Sequence, residues 1–90
     1  MTEAVHVRLP VLFAGLFPDA PRRLDLTAGS VRELVDKLDG LWPGMRDRIC
    51  DSTPAIRQHM NIFVKGQRVQ LEAKLEPGSV VFVLTAVSGG

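Results

Sequence analysis

The fold is decided by a short apolar run near the end of the chain, SVVFVL at residues 79–84. A turn-forming stretch at residues 76–79, which contains Pro77 and Gly78, precedes this run. Most of its members are β-branched or aromatic, which favours a strand. A strand that is apolar on both faces is typical of the centre of a sheet, where neighbouring layers cover it. We therefore predict that residues 79–84 form a central, buried strand.

The residues that follow this strand are small and uncharged. They read TAVSGG at residues 85–90 and end in Gly89 and Gly90. Six extended residues at about 3.3 Å each reach about 20 Å from the core, and glycine without a Cβ fits a narrow channel. We predict a flexible tail, residues 86–90, that presents its carboxylate to a second protein. A frayed, glycine-ended terminus without a role is the alternative interpretation.

The composition is that of a single globular domain, residues 1–90. The apolar fraction of 46% and the charged fraction of 23% are ordinary for such a domain. A net charge of +1 argues against a nucleic-acid partner, which requires a clustered basic excess, and we expect Arg22, Arg23 and residues 46–48 to be solvated surface. No apolar run has the length of a membrane span, and residues 1–3 lack the basic start of a signal peptide. We therefore expect a cytoplasmic protein without a membrane partner.

The cysteine and the histidines do not form a recognisable catalytic or metal site. Cys50 is the one cysteine, so no internal disulfide forms, and after Ile49 it is best interpreted as a half-buried structural thiol. A nucleophile or persulfide carrier is the alternative for Cys50, and it requires an electropositive setting. His6 and His59 have no metal-ligand spacing, and we expect both at the surface. The chain is expected to hold no catalytic residue, bound metal or bound cofactor.

The first third of the chain predicts two strands and a loop. Alternating apolar residues over residues 4–12, from Val5 to Val11, predict a half-buried strand, and Pro10 suggests that its far end lies at an edge or a bulge. Residues 13–18 are interpreted as an apolar connecting loop. Residues 22–26 are predicted to form a second short strand.

An amphipathic helix follows over residues 31–41. Ser30 is the expected N-cap, and Glu33 three residues later completes a capping box. The apolar stripe of this helix, which is expected to cover the sheet, consists of Val31, Leu34, Val35, Leu38 and Leu41. A short second helix is predicted over residues 45–50.

The remaining residues supply the other strands of one sheet. Residues 61–64 and 67–71 are predicted strands joined by a turn at Lys65 and Gly66, and residues 79–84 return to the middle of the sheet. A first hairpin, a crossover helix and a central last strand make an α+β protein with the β-grasp (ubiquitin-like) arrangement. The predicted sheet is mixed, has four to five strands and is covered by one main helix.

The order of these elements, the NIFV strand at residues 61–64, the PGSV turn at residues 77–80 and the ending at Gly89 and Gly90 resemble the MoaD/ThiS family of ubiquitin-like sulfur carriers. The resemblance covers essentially the whole chain. Residues 48–59 make it longer than the compact thiamine-pathway carriers, so it is more similar to the molybdopterin-synthase small subunit and the cysteine-biosynthesis carriers. The tail departs from the common PVAGG ending at Thr85 and Ser88, which leaves the recipient enzyme open.

The resemblance implies a specific chemistry for Gly90. An E1-like adenylating enzyme would use ATP and Mg²⁺ to form an acyl-adenylate at Gly90, after recognising Gly89, Ser88 and Val87. A sulfur donor of the rhodanese or cysteine desulfurase type would then convert Gly90 into a thiocarboxylate. A sulfur-accepting biosynthetic enzyme would use that sulfur, and the chain itself would be a co-substrate rather than an enzyme.

Two other classes of function stay open. In the first, the chain is a ubiquitin-like protein modifier that forms an isopeptide bond through Gly90. In the second, it is a non-catalytic β-grasp interaction module with an inert tail. The product separates the first class from a sulfur carrier, because both begin with the same adenylate.

The last strand also raises the question of which side faces a partner. Val81 and Val83 share one face with the polar Ser79 and Thr85, which favours an exposed odd-numbered face. The family resemblance and the compact shape of the two valines favour the opposite arrangement. We predict that Phe82 and Leu84 point outward and form a partner-facing patch, because an exposed aromatic beside a reactive tail is suited to anchor an interface.

Overall fold

A computed structural model describes residues 4–53 and 55–85 of the chain. The predicted flexible tail, residues 86–90, and with it Gly90, Gly89, Ser88 and Val87, lies outside the described residues. No helix in the part of the chain that is described has both the length and the apolar character needed to cross a bilayer.

The described residues form three helices and one mixed sheet of five strands. In chain order the elements are β1 (Val5–Arg8), α1 (Leu12–Leu16), β2 (Arg23–Leu26), α2 (Val31–Leu41), α3 (Met45–Ile49), β3 (Met60–Val64), β4 (Gln67–Val69) and β5 (Val80–Thr85). The strand order is β2-β1-β5-β3-β4. The pair β1 and β5 is parallel, and the other neighbours are antiparallel. The predicted α+β class, the mixed five-strand sheet and the central place of the last strand are confirmed.

Helix α2 begins and ends where the sequence predicts. The hydroxyl of Ser30 accepts a hydrogen bond from the Glu33 N–H at 3.1 Å, and the Glu33 carboxylate accepts one from the Gly29 N–H at 2.6 Å. The Ser30 hydroxyl thus satisfies one N–H that the first turn of a helix leaves without a partner. The Glu33 carboxylate reaches back to Gly29, one residue before the N-cap whose N–H a standard capping box uses. The helix packs its apolar stripe on the sheet through Val31, Leu34, Val35 and Leu38. Leu41, predicted to join that stripe, is the last residue of the helix and is instead 54% exposed.

The chain from Pro10 to Leu16 differs from the prediction. Strand β1 ends at Arg8 rather than extending to residue 12, and residues 12–16 form helix α1 rather than a loop. The Pro10 carbonyl accepts a hydrogen bond from the Phe13 N–H at 3.0 Å, so the chain turns directly into the helix. Pro10 has no N–H for the sheet ladder, which explains why the strand cannot continue through it. As a consequence Val11, predicted to be inward, is 64% exposed.

A two-residue turn joins β3 to β4. Lys65 and Gly66 both have positive φ, of 54° and 77°. Positive φ at both central positions is typical of the type I′ turn, whose twist matches that of a β-hairpin. This turn lies at the opposite end of the sheet from Thr85, because β3 and β5 are antiparallel.

Candidate functional site

The candidate site lies at the C-terminal end of β5, the last strand. Strand β5 lies between β1 and β3 and ends at Thr85, which pairs with Met60 at the start of β3. A strand held by ladder hydrogen bonds on both sides gives a rigid base to whatever follows it. The tail, residues 86–90, is therefore attached directly to the centre of the sheet.

The two faces of β5 differ sharply in exposure. Val81 and Val83 are 0% and 1% exposed under the helix, whereas Phe82 and Leu84 are each 41% exposed. The prediction that Phe82 and Leu84 point outward is confirmed. The prediction that the whole run is buried on both faces is wrong, since the helices cover one face of the sheet only.

The environment of Ser79 shows why a polar residue at an odd-numbered position does not indicate an exposed odd-numbered face of β5. Its side chain lies on the covered side and is 8% exposed. The Ser79 hydroxyl donates a hydrogen bond to the Glu76 carbonyl at 2.7 Å, inside the turn that precedes β5. A buried hydroxyl with a partner loses little free energy relative to water, so a polar residue at this position does not require an exposed face.

The exposed side chains of β5 form a small apolar surface on the open side of the sheet. Phe82 lies opposite Phe63 of β3 and opposite Arg8 of β1, and Leu84 lies opposite Asn61. Phe63 is half-buried. We call Phe82, Leu84 and Phe63 the outer-face patch. Large apolar side chains that stay exposed on a small domain often mark a surface that a partner covers.

Two grooves flank Thr85, and both contain Leu12 of α1. The first has a volume of about 790 Å³ and runs between Leu12 and the outer-face patch, past Phe82 and Leu84. The second has a volume of about 780 Å³ and runs from Leu12 to the start of β3 at Met60. Leu12 is 59% exposed. Thr85, the last described residue, thus lies between two open, partly apolar grooves.

Arginines line these grooves. The first groove contains Arg8, Arg22 and Arg23, and the second contains Arg48 and Arg57. Arg22, Arg23 and Arg48 are exposed, as predicted, but the sequence did not indicate that they surround the base of the tail. The register of β1 with β2, which places Arg8 opposite Arg23, brings part of this set together.

Cys50 lines neither of these grooves; it caps the end of α3 and is buried, with 4% of its surface exposed. Burial raises the pKa of the Cys50 thiol above 9.0, and the nearby Arg46 and Arg32 guanidiniums oppose this shift only in part. The thiolate is the reactive form of cysteine, so this setting favours the structural interpretation over a nucleophile.

We predict that Cys50 reacts slowly with iodoacetamide in the folded chain. At pH 7 the rate should be at least about tenfold below that of the urea-unfolded chain, because the thiol is both buried and protonated. Since folding favours the thiol, the raised pKa stabilises the fold below pH 9.0, and this contribution is lost as the pH rises through the folded-state pKa. Mass spectrometry of quenched samples measures the rate, and equal rates in the two states would contradict the buried placement.

The two histidines lie on the surface, and neither belongs to a metal site in the described chain. His6 places Nδ1 2.8 Å from the Asp25 carboxylate across the β1–β2 pair, and His59 is exposed. Across residues 4–53 and 55–85 there is no cluster of three or more His, Cys, Asp or Glu side chains with the geometry to bind a metal ion.

Solved structures show the same fold over nearly the whole chain. A chain of the Amycolatopsis orientalis BexX/CysO complex superposes with a TM-score of 0.85 at 23% identity, covering 97% of this chain and 100% of that one. Mycobacterium tuberculosis CysO, described as an antigen, gives a TM-score of 0.81 at 19% identity, covering 92% and 99%. Small archaeal modifier protein 1 of Methanosarcina acetivorans gives 0.77 at 21% identity, covering 100% and 99%.

Sequence comparisons add no further relative. No protein-family model matches the chain, and no curated protein does. The structural likeness therefore confirms the resemblance predicted from the sequence at the level of the fold. The chain has the ubiquitin-like β-grasp fold, which these solved structures share.

Proposed function

We propose that the chain is a cytoplasmic sulfur carrier whose functional group is the carboxylate of Gly90. The observation that carries this proposal is the geometry of β5, a central strand that ends at Thr85 beside the exposed outer-face patch. A second protein that covers the patch is positioned to receive the tail. The fold shared with CysO adds support, because one of those structures is a complex with a second protein, BexX.

The proposed chemistry takes place in partner enzymes. An E1-like adenylating enzyme transfers AMP from MgATP to the Gly90 carboxylate and releases pyrophosphate. The persulfide of a rhodanese or cysteine desulfurase attacks the acyl carbon and displaces AMP, which forms an acyl disulfide. A second thiol then attacks the cysteine sulfur of the donor protein in this S–S bond and forms a new disulfide with it. The transferred sulfur stays on the acyl carbon, which leaves a thiocarboxylate at Gly90. A biosynthetic enzyme for cysteine, molybdopterin or another sulfur metabolite uses this nucleophilic sulfur.

This function requires little of the chain beyond recognition. It needs a stable body, a surface that a partner covers and a tail without bulky side chains. Val87, Ser88 and Gly89 are proposed to lie in the substrate channel of the adenylating enzyme, where the absence of a Cβ at Gly89 and Gly90 permits close approach. The catalytic groups, ATP and Mg²⁺ belong to the partner.

A ubiquitin-like protein modifier is the second candidate. It is favoured by the likeness to small archaeal modifier protein 1, which is named as a modifier. The same surface and tail serve this function, and only the attacking group differs, since a lysine amine replaces the persulfide.

Reconstitution with a purified E1-like enzyme tests the proposal. Pyrophosphate release that depends on ATP and on this chain supports activation of Gly90, and heavier conjugates on a denaturing gel would favour the modifier. No ATP-dependent reaction with adenylating enzymes from the same genome would favour the third interpretation, an interaction module with an inert tail.

We predict that Phe82→Ser weakens binding to the adenylating enzyme by at least about 30-fold, the scale of an interface anchor worth 2 kcal/mol. Its cost in folding stability should be about 1 kcal/mol or less, since the side chain is already 41% exposed. Affinity is measured by isothermal titration, and stability by urea unfolding.

Val83→Ser is the matched control on the opposite face of β5. Val83 is 1% exposed, so a hydroxyl there is buried and the variant should lose about 2 kcal/mol or more of stability. A larger stability loss for Phe82→Ser than for Val83→Ser would show that the outer-face patch belongs to the core.

A further inference from the structure

Several cationic side chains on the helix side and at the far end of the sheet are paired with carboxylates, as in Arg46 with Asp36 at 3.0 Å and Lys65 with Glu76 at 2.7 Å. Among the described residues, the arginines that line the two grooves beside Thr85 are not paired in this way. In the described part of the chain no ion pair with a carboxylate involves the arginine collar, which we define as Arg8, Arg22, Arg23, Arg48 and Arg57.

The collar is a local concentration of positive charge that the net charge of the chain does not reveal. The net charge of the chain is only +1, so the excess around Thr85 is balanced by acidic residues elsewhere. Of the described residues that line the two grooves, Asp47 is the acidic one. Its backbone carbonyl accepts a hydrogen bond from Arg57 at 2.6 Å. Unpaired charges at the rim of a groove attract opposite charge over about a Debye length, roughly 10 Å at moderate salt.

The apolar side chains between these arginines indicate the kind of molecule that fits. Leu12 is 59% exposed and Leu84 41%, and both line the first groove together with Arg8 and Arg22. Apolar residues at the centre with charged residues at the rim are the anatomy of a protein–protein interface. A nucleic acid is bound through rows of phosphate contacts, for which a leucine-lined groove offers little.

We propose that the arginine collar and the two grooves dock an acidic, partly apolar surface of the adenylating enzyme, and so select the partner that takes up the tail. This inference rests on the proposed function and adds the charge of the partner to it. Gly90 is only five residues beyond Thr85, so a protein that draws Gly90 into its active site approaches this end of the sheet, and in the proposed complex its surface lies against the collar. Acidic side chains on that surface gain attraction during approach, and an apolar side chain enters the groove beside Leu12.

The test compares association rates of the full chain with a purified E1-like adenylating enzyme. The collar variant carries Arg22→Gln, Arg23→Gln and Arg48→Gln, three exposed residues with no side-chain hydrogen bond in the described structure. The control variant carries Arg32→Gln, Lys65→Gln and Lys74→Gln, which lowers the net charge by the same three units away from Thr85. A third variant replaces the three collar arginines by lysine and retains the charge.

At about 30 mM NaCl the collar variant should associate about tenfold more slowly than the wild type, and at about 500 mM NaCl the two rates should converge. The control variant and the lysine variant should stay within about twofold of the wild type, because steering depends on local charge rather than on guanidinium geometry. Equal rates for the collar and control variants, with wild-type pyrophosphate release intact, would overturn the collar alone. A wild-type chain that neither binds nor is adenylated would overturn both proposals.

Single-stranded RNA is the second probe. A gel-shift assay with the wild-type chain should give no complex at physiological salt. An RNA complex that the collar variant loses and the control variant retains would assign the collar to nucleic acid and contradict the proposed docking of a protein.

Discussion

Removal of Gly89 and Gly90 is expected to abolish activation by the adenylating enzyme while the melting temperature stays within about 1 °C of the wild type. The buried core of the described residues consists of side chains between Val5 and Val83. Gly89 and Gly90 have no side chain to add to it, so we expect little loss of stability. The proposed reacting group, in contrast, is removed entirely. ATP-dependent pyrophosphate release measures activation, and circular dichroism measures the melting temperature.

Two tail variants distinguish a specific requirement for Gly90 from a general effect of altering the tail. Gly90→Val retains the length of the tail but adds a branched side chain, and it should also prevent adenylation because the added Cβ obstructs the active-site channel. Ser88→Ala adds no bulk and keeps the tail backbone, so the tail should still enter the proposed channel, and activity should fall by no more than about tenfold, the scale of one lost hydrogen bond. Unchanged pyrophosphate release from the chain shortened by two residues would contradict the assignment of Gly90.

The second large effect is expected at the interface between α2 and the sheet. Leu38→Ala should lower the free energy of unfolding by about 2–5 kcal/mol, and Leu34→Ala by a similar amount, because each truncation leaves a cavity in a close-packed core. Both side chains are 0% exposed. Urea unfolding followed by circular dichroism gives the free energies.

Arg32→Ala is the control for this pair. Arg32 lies on the exposed face of the same helix, 3.8 Å from the Glu72 carboxylate, with roughly half of its side chain in solvent. An exposed ion pair of this kind contributes little, so the variant should lose no more than about 0.5 kcal/mol. Equal losses at Leu38 and Arg32 would contradict the observed orientation of the helix.

The elements that the sequence predicts best are those with local signals. Helix α2 has a capping box at Ser30 and Glu33 and a 3.6-residue apolar period, and both act within the helix itself. The hairpin between β3 and β4 has its turn chemistry in Lys65 and Gly66. These segments are therefore predicted correctly from the chain alone, with boundaries accurate to a residue or two.

The segment from Pro10 to Leu16 shows the limit of periodicity. Val11 continues the alternation of β1, so the pattern predicts a longer strand, yet Pro10 lacks the N–H that the ladder requires. An apolar run such as residues 12–16 can pack as a loop, a strand or a helix, and only the Phe13 contact with the core decides among them. Phe13 is 2% exposed and packs edge-on against Phe17 with their ring centroids 5.5 Å apart.

In the candidate site, too, some residues could be predicted from a local pattern and others could not. Phe82 and Leu84 could be predicted because alternation along one strand separates them from Val81 and Val83. The collar could not, since Arg8, Arg23 and Arg48 are distant in sequence and meet only through the sheet topology and the position of α3. The proposed role of Gly90 stays a prediction from the resemblance and the chemistry of its carboxylate.

The most direct test of the sulfur-carrier proposal is the mass of the C-terminal peptide after reaction. The chain is incubated with the adenylating enzyme, MgATP and a persulfide donor, then digested and analysed by mass spectrometry. We expect the peptide ending in Gly90 to gain the mass difference between one sulfur and one oxygen atom, and we expect this gain to require ATP. An unmodified Gly90, or a Gly90 joined to lysine in conjugates with no thiocarboxylate form, would contradict the proposal.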